Sequence, residues 1–421
     1  MTFGSVPMAA RDAVDAFVST HEHELIAFRR HLHAYPEISS QEVGTTEAIC
    51  ERLRVAGLDP IVLGLGTGLV CDVRGPGPDG SSPFVVLRAD IDALAMADLK
   101  DVPYRSRRSG VAHACGHDAH SAIVLGAGLA LKHALAAADI TGRVRLVFEP
   151  AEENVPGGAI DVIAEGWLDG ASSVFGVHCD PKIDVGTIGC HAGPITAASD
   201  LIEITLTGPG GHTARPHLTV DLASVAAQVA LELPPLVAEL ASHLGVASIV
   251  FGSLNTGDAP NVIPARALLR GTFRTPEFDV WEAAPEMVES ALATILDTTG
   301  AGWSIHHRRG VPPVVNDAES TAVMADVASF VVGGANVVDT PQSMGGDSFA
   351  WYLQKVPGSY ARLGVHDPAS SQPRLDLHAS TFDIDERSLA IGVRLLALTA
   401  LASLASLASL ASLEPGGRNE S

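Results

Sequence analysis

The sequence predicts an α/β fold, a mixed and mostly parallel central sheet flanked by helices, into which a ferredoxin-like α+β domain is inserted. Three observations lead there. A chain of 421 residues is longer than one ordinary core organises, so one large and one smaller domain are expected. Between Ala119 and Val177 the apolar runs alternate in helix-like and strand-like periods, the rhythm of a parallel sheet with helical crossovers. Between Leu201 and His307 the order becomes strand, helix, strand, strand, helix, strand, which is the ferredoxin-like split unit.

The elements follow from spacing. Val14, Phe17, Val18, Leu25, Phe28 and Leu32 mark one face of a helix that Pro36 ends. Ser39 with Glu42 fits a capping box for a second helix, closed by Gly57. Leu69 to Val73 and Phe84 to Leu87 read as strands paired with each other across the Gly/Pro/Ser-rich stretch 75–83. Then come a helix from Ala119 to Ala138, a strand from Val144 to Phe148, a helix from Ala159 to Glu165 and a strand from Val174 to Val177. The inserted unit offers strands at 202–206, 248–251, 267–274 and 303–307 with helices at 222–240 and 278–296. The expected domains are therefore 1–195 with 309–413, the insert 196–308, and a flexible tail 414–421.

Composition narrows the partners. Apolar residues make up 47% of the chain against 18% charged, enough for a sizeable core. A formal charge of −22 repels phosphate backbones and anionic lipid, so no nucleic-acid partner is expected. The first thirteen residues carry Arg11 and Asp12 where an export signal needs an apolar core, which points to the cytoplasm. The run Leu395 to Leu413 is uncharged and nearly long enough to span a bilayer. Its Leu-Ala-Ser repeat winds leucine around the axis and dilutes it with serine, so an extension of the last helix is preferred to a membrane anchor. Five cysteines make no disulfide framework and leave at least one free for chemistry.

Four places gather chemistry-bearing side chains. His113-Ala-Cys115-Gly-His117-Asp118-Ala-His120 sets a thiolate and an imidazole two residues apart, a pairing that suits zinc; the plainer reading is a histidine-rich turn with Asp118 capping the next helix. Glu152 and Glu153 follow the strand 144–148, and neighbouring carboxylates there can divide the work between ligand and base, although a Glu pair on a turn is commonly just solvated. His178 closes another strand, and His378 stands alone in Asp376-Leu-His378; a lone histidine is more often structural. The case for a site rests on the convergence of three of these places at strand ends.

These motifs carry a resemblance. The chain resembles the zinc-dependent aminoacylase and carboxypeptidase family, in the amidohydrolase branch that includes hippurate hydrolases and indole-acetyl-amino-acid hydrolases. The similarity runs nearly end to end, through Arg29-Arg30-His31-Leu-His33 with Pro36-Glu37, Arg88-Ala-Asp90-Ile-Asp92-Ala-Leu94, the 113–120 cluster, Pro150-Ala-Glu152-Glu153, Gly210-Gly211-His212, Asn261-Val-Ile-Pro264 and Asp376-Leu-His378. The 113–120 stretch is the specific one.

The resemblance implies a zinc-exopeptidase-like catalytic domain and a lid that mediates homodimers. It implies two divalent ions per subunit, zinc with manganese or cobalt as alternatives, with Cys115 bridging them and His117, Glu153, His178 and His378 completing their shells. Glu152 would be the general base, and His212 would stabilise the oxyanion in the partner subunit's site. Asn261, Arg274 and Gly346 would hold the substrate, and Asp90 and Asp92 would orient the metal ligands, with ordinary surface ion pairs and turn carboxylates as the alternatives for Arg274, Asp90 and Asp92. The implied activity is hydrolysis of small N-acyl amino acids, with a dipeptidase or carboxypeptidase, or an impaired metal-binding dimer, as competing readings. Three departures stand out: Gly345-Gly346-Asp347-Ser348-Phe349 where relatives commonly have Gly-Gly-Glu-Asp-Phe, Ala95 in place of a usual proline, and Ala112 where Met is frequent.

Overall fold

The computed structural model describes residues 3–76, 84–370 and 373–413. The expected tail 414–421 and most of the 75–83 connection lie outside the described residues. The chain divides into two compact units, Met1–Gly193 with Val315–Thr340 and Trp351–Ser421, and Pro194–Val314 with Pro341–Ala350.

The first unit is built on an eight-stranded mixed sheet in the order Ile61–Val62, Leu69–Arg74, Arg143–Glu149, Phe84–Asp90, Ala171–Asp184, Gly358–His366, Ile188–Gly189, Val337–Val338. The strands Leu69–Arg74 and Phe84–Asp90 are not partners. Arg143–Glu149 lies between them, antiparallel to the first and parallel to the second. Adjacency in sequence had suggested a hairpin, but Phe84–Asp90 is buried at every position, and a strand buried on both faces belongs in the sheet's interior. Its other neighbour, Ala171–Asp184, is also parallel, and Gly358–His366 continues the parallel run.

Helices Met8–Ala34, His117–Ala137 and Arg387–Leu413 pack against one another in the same unit. The central one shows little amphipathic pattern because sixteen of its twenty-one residues are buried. Gly126 and Gly128 permit that packing: a Cβ on Gly126 would lie 2.7 Å from Val393 Cγ2, and one on Gly128 2.2 Å from Leu146 Cδ1. Among the described residues, three helices are long and apolar enough to cross a membrane by length and composition. The apolar window of the last, Arg387–Ser409, is 83% buried in the fold, and Leu395, Leu396, Leu398 and Leu401 belong to its main core.

The second unit is a four-stranded antiparallel sheet in the order Ser248–Thr256, Arg266–Thr275, Ala198–Thr207, Gly302–Val311. Helices Leu222–Ala241 and Phe278–Leu296 close a separate core over Ile202, Ile204, Leu269 and Phe273. Residues 341–350, which sequence reading leaves with the larger domain, belong here. Ala197 N donates to Gly345 O (3.0 Å), Ser343 N donates to Ile195 O (3.0 Å), and Gln342 reaches Thr196 O (2.9 Å).

A buried charge cluster fastens the first unit. Arg29, fully buried, donates to Asp118 (2.7 Å) and Asp383 (2.7 Å) and reaches Glu386 (3.3 Å), tying the first helix to the central helix and to the approach of the last. His33 joins Asp118 (2.6 Å) to Asp98 (3.4 Å). Asp118 is therefore not the helix cap that its position suggests; Gly116, in the left-handed region, occupies that place.

Removing one partner from a buried charge network leaves the others desolvated and unpaired, so Arg29→Met is expected to cost about 3–5 kcal/mol in denaturant unfolding. Burial disfavours the charged His33 ring, but Asp118 and Asp98 outweigh it and raise the ring above its ordinary 6.5. A raised folded-state value means that this contribution to stability is complete below about 6.5 and is lost as pH climbs through the folded value. The unfolding midpoint should carry a falling component over that interval, and His33→Gln should remove it.

Candidate metal centre

The parallel register decides which groups meet. Asp90 pairs with Glu149, so the carboxyl ends of their strands are level, and each chain turns over the same edge of the sheet. Arg88, 1% exposed, clamps the two ends, with Nη1 on Asp90 (2.6 Å) and Nε on Glu149 (2.6 Å). Beyond them lie Asp92 on one side and Glu152–Glu153 on the other. His178 does not end its strand, which runs on to Asp184; it faces the cluster from inside Ala171–Asp184. His117 is the first residue of the central helix rather than part of an extended segment.

His117 Nδ1 lies 2.9 Å from the Asp92 carbonyl and 3.2 Å from its carboxylate, which takes the ring proton there and leaves the buried Nε2 with no hydrogen-bond partner. His178 Nδ1 donates to Cys179 O (2.7 Å), so its Nε2, 3.5 Å from Cys115 Sγ, presents a lone pair. His378 arrives from far along the chain. Its φ of 62° and the bond from its N to Ala114 O (2.8 Å) bring Nε2 to 3.2 Å from Glu153 Oε1.

Donor atoms of Cys115, His117 and His178 all lie within 4.8 Å of one another, as do those of Cys115, Glu153 and His378, and those of His117, Glu152 and Glu153. Two ligands of one zinc at about 2.0–2.3 Å can stand at most about 4.6 Å apart, so these sets are spaced to hold ions with small adjustment. Cys115 and His117 each belong to two of these three sets, so the sets share donors, and a thiolate is one of the shared ones.

The electrostatics divide the ligands: burial opposes a charged His117 ring, but Asp90 and Cys115 outweigh it and raise the ring well above its usual value. Burial and then the neighbouring Glu153 push the Cys115 thiol well up, and a cation is the agent that reverses such a shift. Burial holds His178 well below its usual value, with His120 and Arg362 adding to it, so the ring is neutral, the form that ligates. Burial would raise Asp90, but His117, His120 and Arg88 outweigh it and hold its carboxyl well below the usual range.

Sequence reasoning missed His120 and Arg88. His120 Nδ1 donates to Asp90 (2.6 Å) while its Nε2 accepts from Cys179 N (2.9 Å), bracing the centre from behind, and with Asp90 and His117 it forms a fourth set of close donors. Its position three residues after His117 on one helix was the available signal. Asp92 does more than orient His117: its Oδ2 also accepts from Glu153 N (3.0 Å) and Ser39 Oγ (2.6 Å).

The remaining candidates lie in the second unit. His212 and Asn261 come together there, His212 pairing with Val262 and Asn261 O accepting from Thr213 N (3.2 Å). Arg274 donates to the Met344 carbonyl, beside Gly346. The altered Asp347 is buried, and its Oδ1 accepts from Phe349 N (2.8 Å) at the start of the short helix Phe349–Leu353.

This fold and this donor set define a metal-dependent hydrolase. The model of peptidase family M20/M25/M40 matches residues 86–402, and the chain belongs to that family. An N-acetyl-L-cysteine deacetylase of Bacillus subtilis is 36% identical over 372 residues, 88% of this chain and 86% of that protein. A Rhodococcus jostii protein named as glutamate–cysteine ligase 2-3 is 42% identical over 379 residues, 90% of this chain and 46% of that protein. The chain thus spans about half the length of that relative, whose name describes the longer protein. Among solved structures, the YXEP protein of Bacillus subtilis, described as a dinuclear metal binding peptidase from the M20 family, superposes with a TM-score of 0.78 at 31% identity, over 92% of this chain and 99% of that one.

Because Asp92 touches His117, the Glu153 backbone and Ser39 at once, Asp92→Ala is expected to weaken divalent-metal binding about 10–100-fold, measured by competition with a coloured chelator.

Proposed function

We propose that the protein hydrolyses N-acyl amino acids in the cytoplasm, releasing a carboxylic acid and a free amino acid. The observation that carries this is the sharing of Cys115 between two donor sets with Glu152 and Glu153 side by side at their edge. In this reading Cys115, His117, Glu153, His178 and His378 hold two divalent ions. The thiolate and imidazoles favour zinc, and manganese or cobalt can serve in differing degree. When bound, the ions supply Lewis acidity, making a water more acidic and neutralising negative charge at the amide oxygen.

The protein's own groups do the rest. Glu152 takes a proton from the attacking water and passes it to the leaving amine nitrogen. Glu153 stays a ligand because the bond from its N to Asp92 turns its side chain towards His117 and His378. Asp90 and Asp92 orient the ligands. Asn261, Arg274 and the Gly346 backbone receive the amino acid's carboxylate, for which a guanidinium is well shaped.

The same reading makes the protein a homodimer through the second unit, with His212 serving the partner subunit's site. Support comes from the exposure of His212, and from Leu231, Val246 and Val250, which stand 76%, 61% and 65% exposed on that unit, Val250 on the sheet's edge strand.

Purified protein should contain two divalent ions per chain and release amino acid from acetyl or benzoyl derivatives but not from dipeptides. Dipeptide cleavage would favour the peptidase reading, and metal-replete protein inert on a broad acyl panel the impaired one. Glu152→Gln should keep the metals and lose at least about 100-fold in kcat, as removal of a general base does. Mixing Glu152→Gln with His212→Ala subunits should restore about a quarter of wild-type activity, since a two-fold dimer that exchanges His212 rebuilds one intact site in each mixed pair. No recovery on mixing would place His212 outside the partner's site.

A further inference from the structure

The Ser39/Glu42 pattern that reads as a capping box does something else. A capping box would put Ser39 at the N-cap and start the helix at residue 40, but the helix is Val43–Val55, Glu42 stands in the N-cap place, and no side chain caps it. Ser39 Oγ donates to Asp92 Oδ2 (2.6 Å), and Glu42 Oε1 accepts from Ser40 N (2.9 Å) and from Ala151 N (2.8 Å), 109 residues away. Glu42 is fully buried, and its Oε2 has no hydrogen-bond partner. Burial pushes its carboxyl up, the backbone N–H groups opposing this only in part. A chain that buries a carboxylate and turns it away from its own helix places it where another need is served.

That need is visible at Ala151. Its φ is 56°, a left-handed conformation that a residue with a Cβ resists, and it immediately precedes Glu152 and Glu153. Three contacts hold the turn. Glu42 binds the N–H of Ala151, Asp92 binds the N–H of Glu153, and Gly158 packs so closely that a Cβ on it would lie 2.0 Å from Pro150 O. Residues 36–42 themselves are moored to the metal side of the sheet, Ala93 N donating to Glu37 O (2.8 Å) and Ile38 bridging Ala93.

We infer that Glu42, with Ser39, is a positioning residue: the strap 39–42 fixes the turn at Ala151 and so sets where the base Glu152 and the ligand Glu153 stand relative to each other. The inference rests on the proposed hydrolysis for the meaning of Glu152, but the geometry of the Glu153 ligand is its own consequence. Glu42 stands in none of the close donor sets of the centre; it acts through the backbone of Ala151.

The test compares Glu42→Ala, Glu42→Gln and Ser39→Ala with the wild type, at a temperature where circular dichroism shows each folded. Glu42→Ala should lower kcat about 10–100-fold at saturating metal with KM little changed, and weaken zinc binding about tenfold in chelator competition. Glu42→Gln keeps the acceptor oxygen and should recover most of both. Ser39→Ala should move both in the same direction by less, and it decides the matter if Glu42→Ala does not fold. Wild-type kcat and zinc affinity in Glu42→Ala, or a Glu42→Gln as impaired as Glu42→Ala, would overturn the inference. Should the wild type bind two metals and hydrolyse no N-acyl amino acid, the proposed function fails, and the zinc competition, which needs no substrate, still decides the role of Glu42.

Discussion

The structure depends on bringing the carboxyl ends of two parallel strands level inside the protein and keeping them there. Asp90 and Glu149 end neighbouring strands, and side by side without water their carboxylates would repel. Arg88 lies between them with both bonds at 2.6 Å, a charge-assisted clamp that converts repulsion into registry. Everything the candidate centre uses on that side is measured from this point: Asp92 two residues beyond one strand, Glu152 and Glu153 a turn beyond the other, and His120 against Asp90 from the central helix.

A second layer of contacts restricts what each donor can do. His117 and His178 each commit Nδ1 to a carbonyl on their own side, which fixes the tautomer and leaves Nε2 as the presenting atom. Asp92 spreads over His117, Ser39 and Glu153, and Glu42 holds Ala151. The centre is therefore supported by four separate stretches of chain: residues 36–42, the ends of the two parallel strands Phe84–Asp90 and Arg143–Glu149, and the start of the central helix. The Arg29 cluster secures that helix from the opposite direction through Asp118, the residue next to His117. Stability and site geometry thus share the same helix turn.

Much of this was legible in the chain. Periodicity located nearly every long element, and the βαββαβ order of the second unit is present as read, with its strands in the order expected of that motif. The histidine and cysteine cluster announced itself by composition, and the Glu pair by its place after a strand. What misled was locality. Leu69–Arg74 and Phe84–Asp90 are near in sequence and separated in the sheet; Asp118 sits where a cap would and answers Arg29; Ser39 and Glu42 match a capping box and bond elsewhere. The first error paired strands by nearness in sequence, and the other two assigned a polar side chain to its own helix end when its partner is buried and distant in sequence.

The sequence by itself determined the elements and the two-part organisation, which follow from side-chain period, and it offered Cys115, His117 and the Glu pair as candidate cation ligands by chemical type, while His378 entered through resemblance alone. Only the tertiary structure decided that His378, with no local signal, comes to Glu153, that Cys115 stands in two donor sets, and that Arg88, His120 and Glu42 serve the centre. The physical reason is that these assignments depend on which strand lies beside which. Parallel pairing joins stretches of chain separated by whole helices, and no pattern within a window of sequence records the register at which they meet.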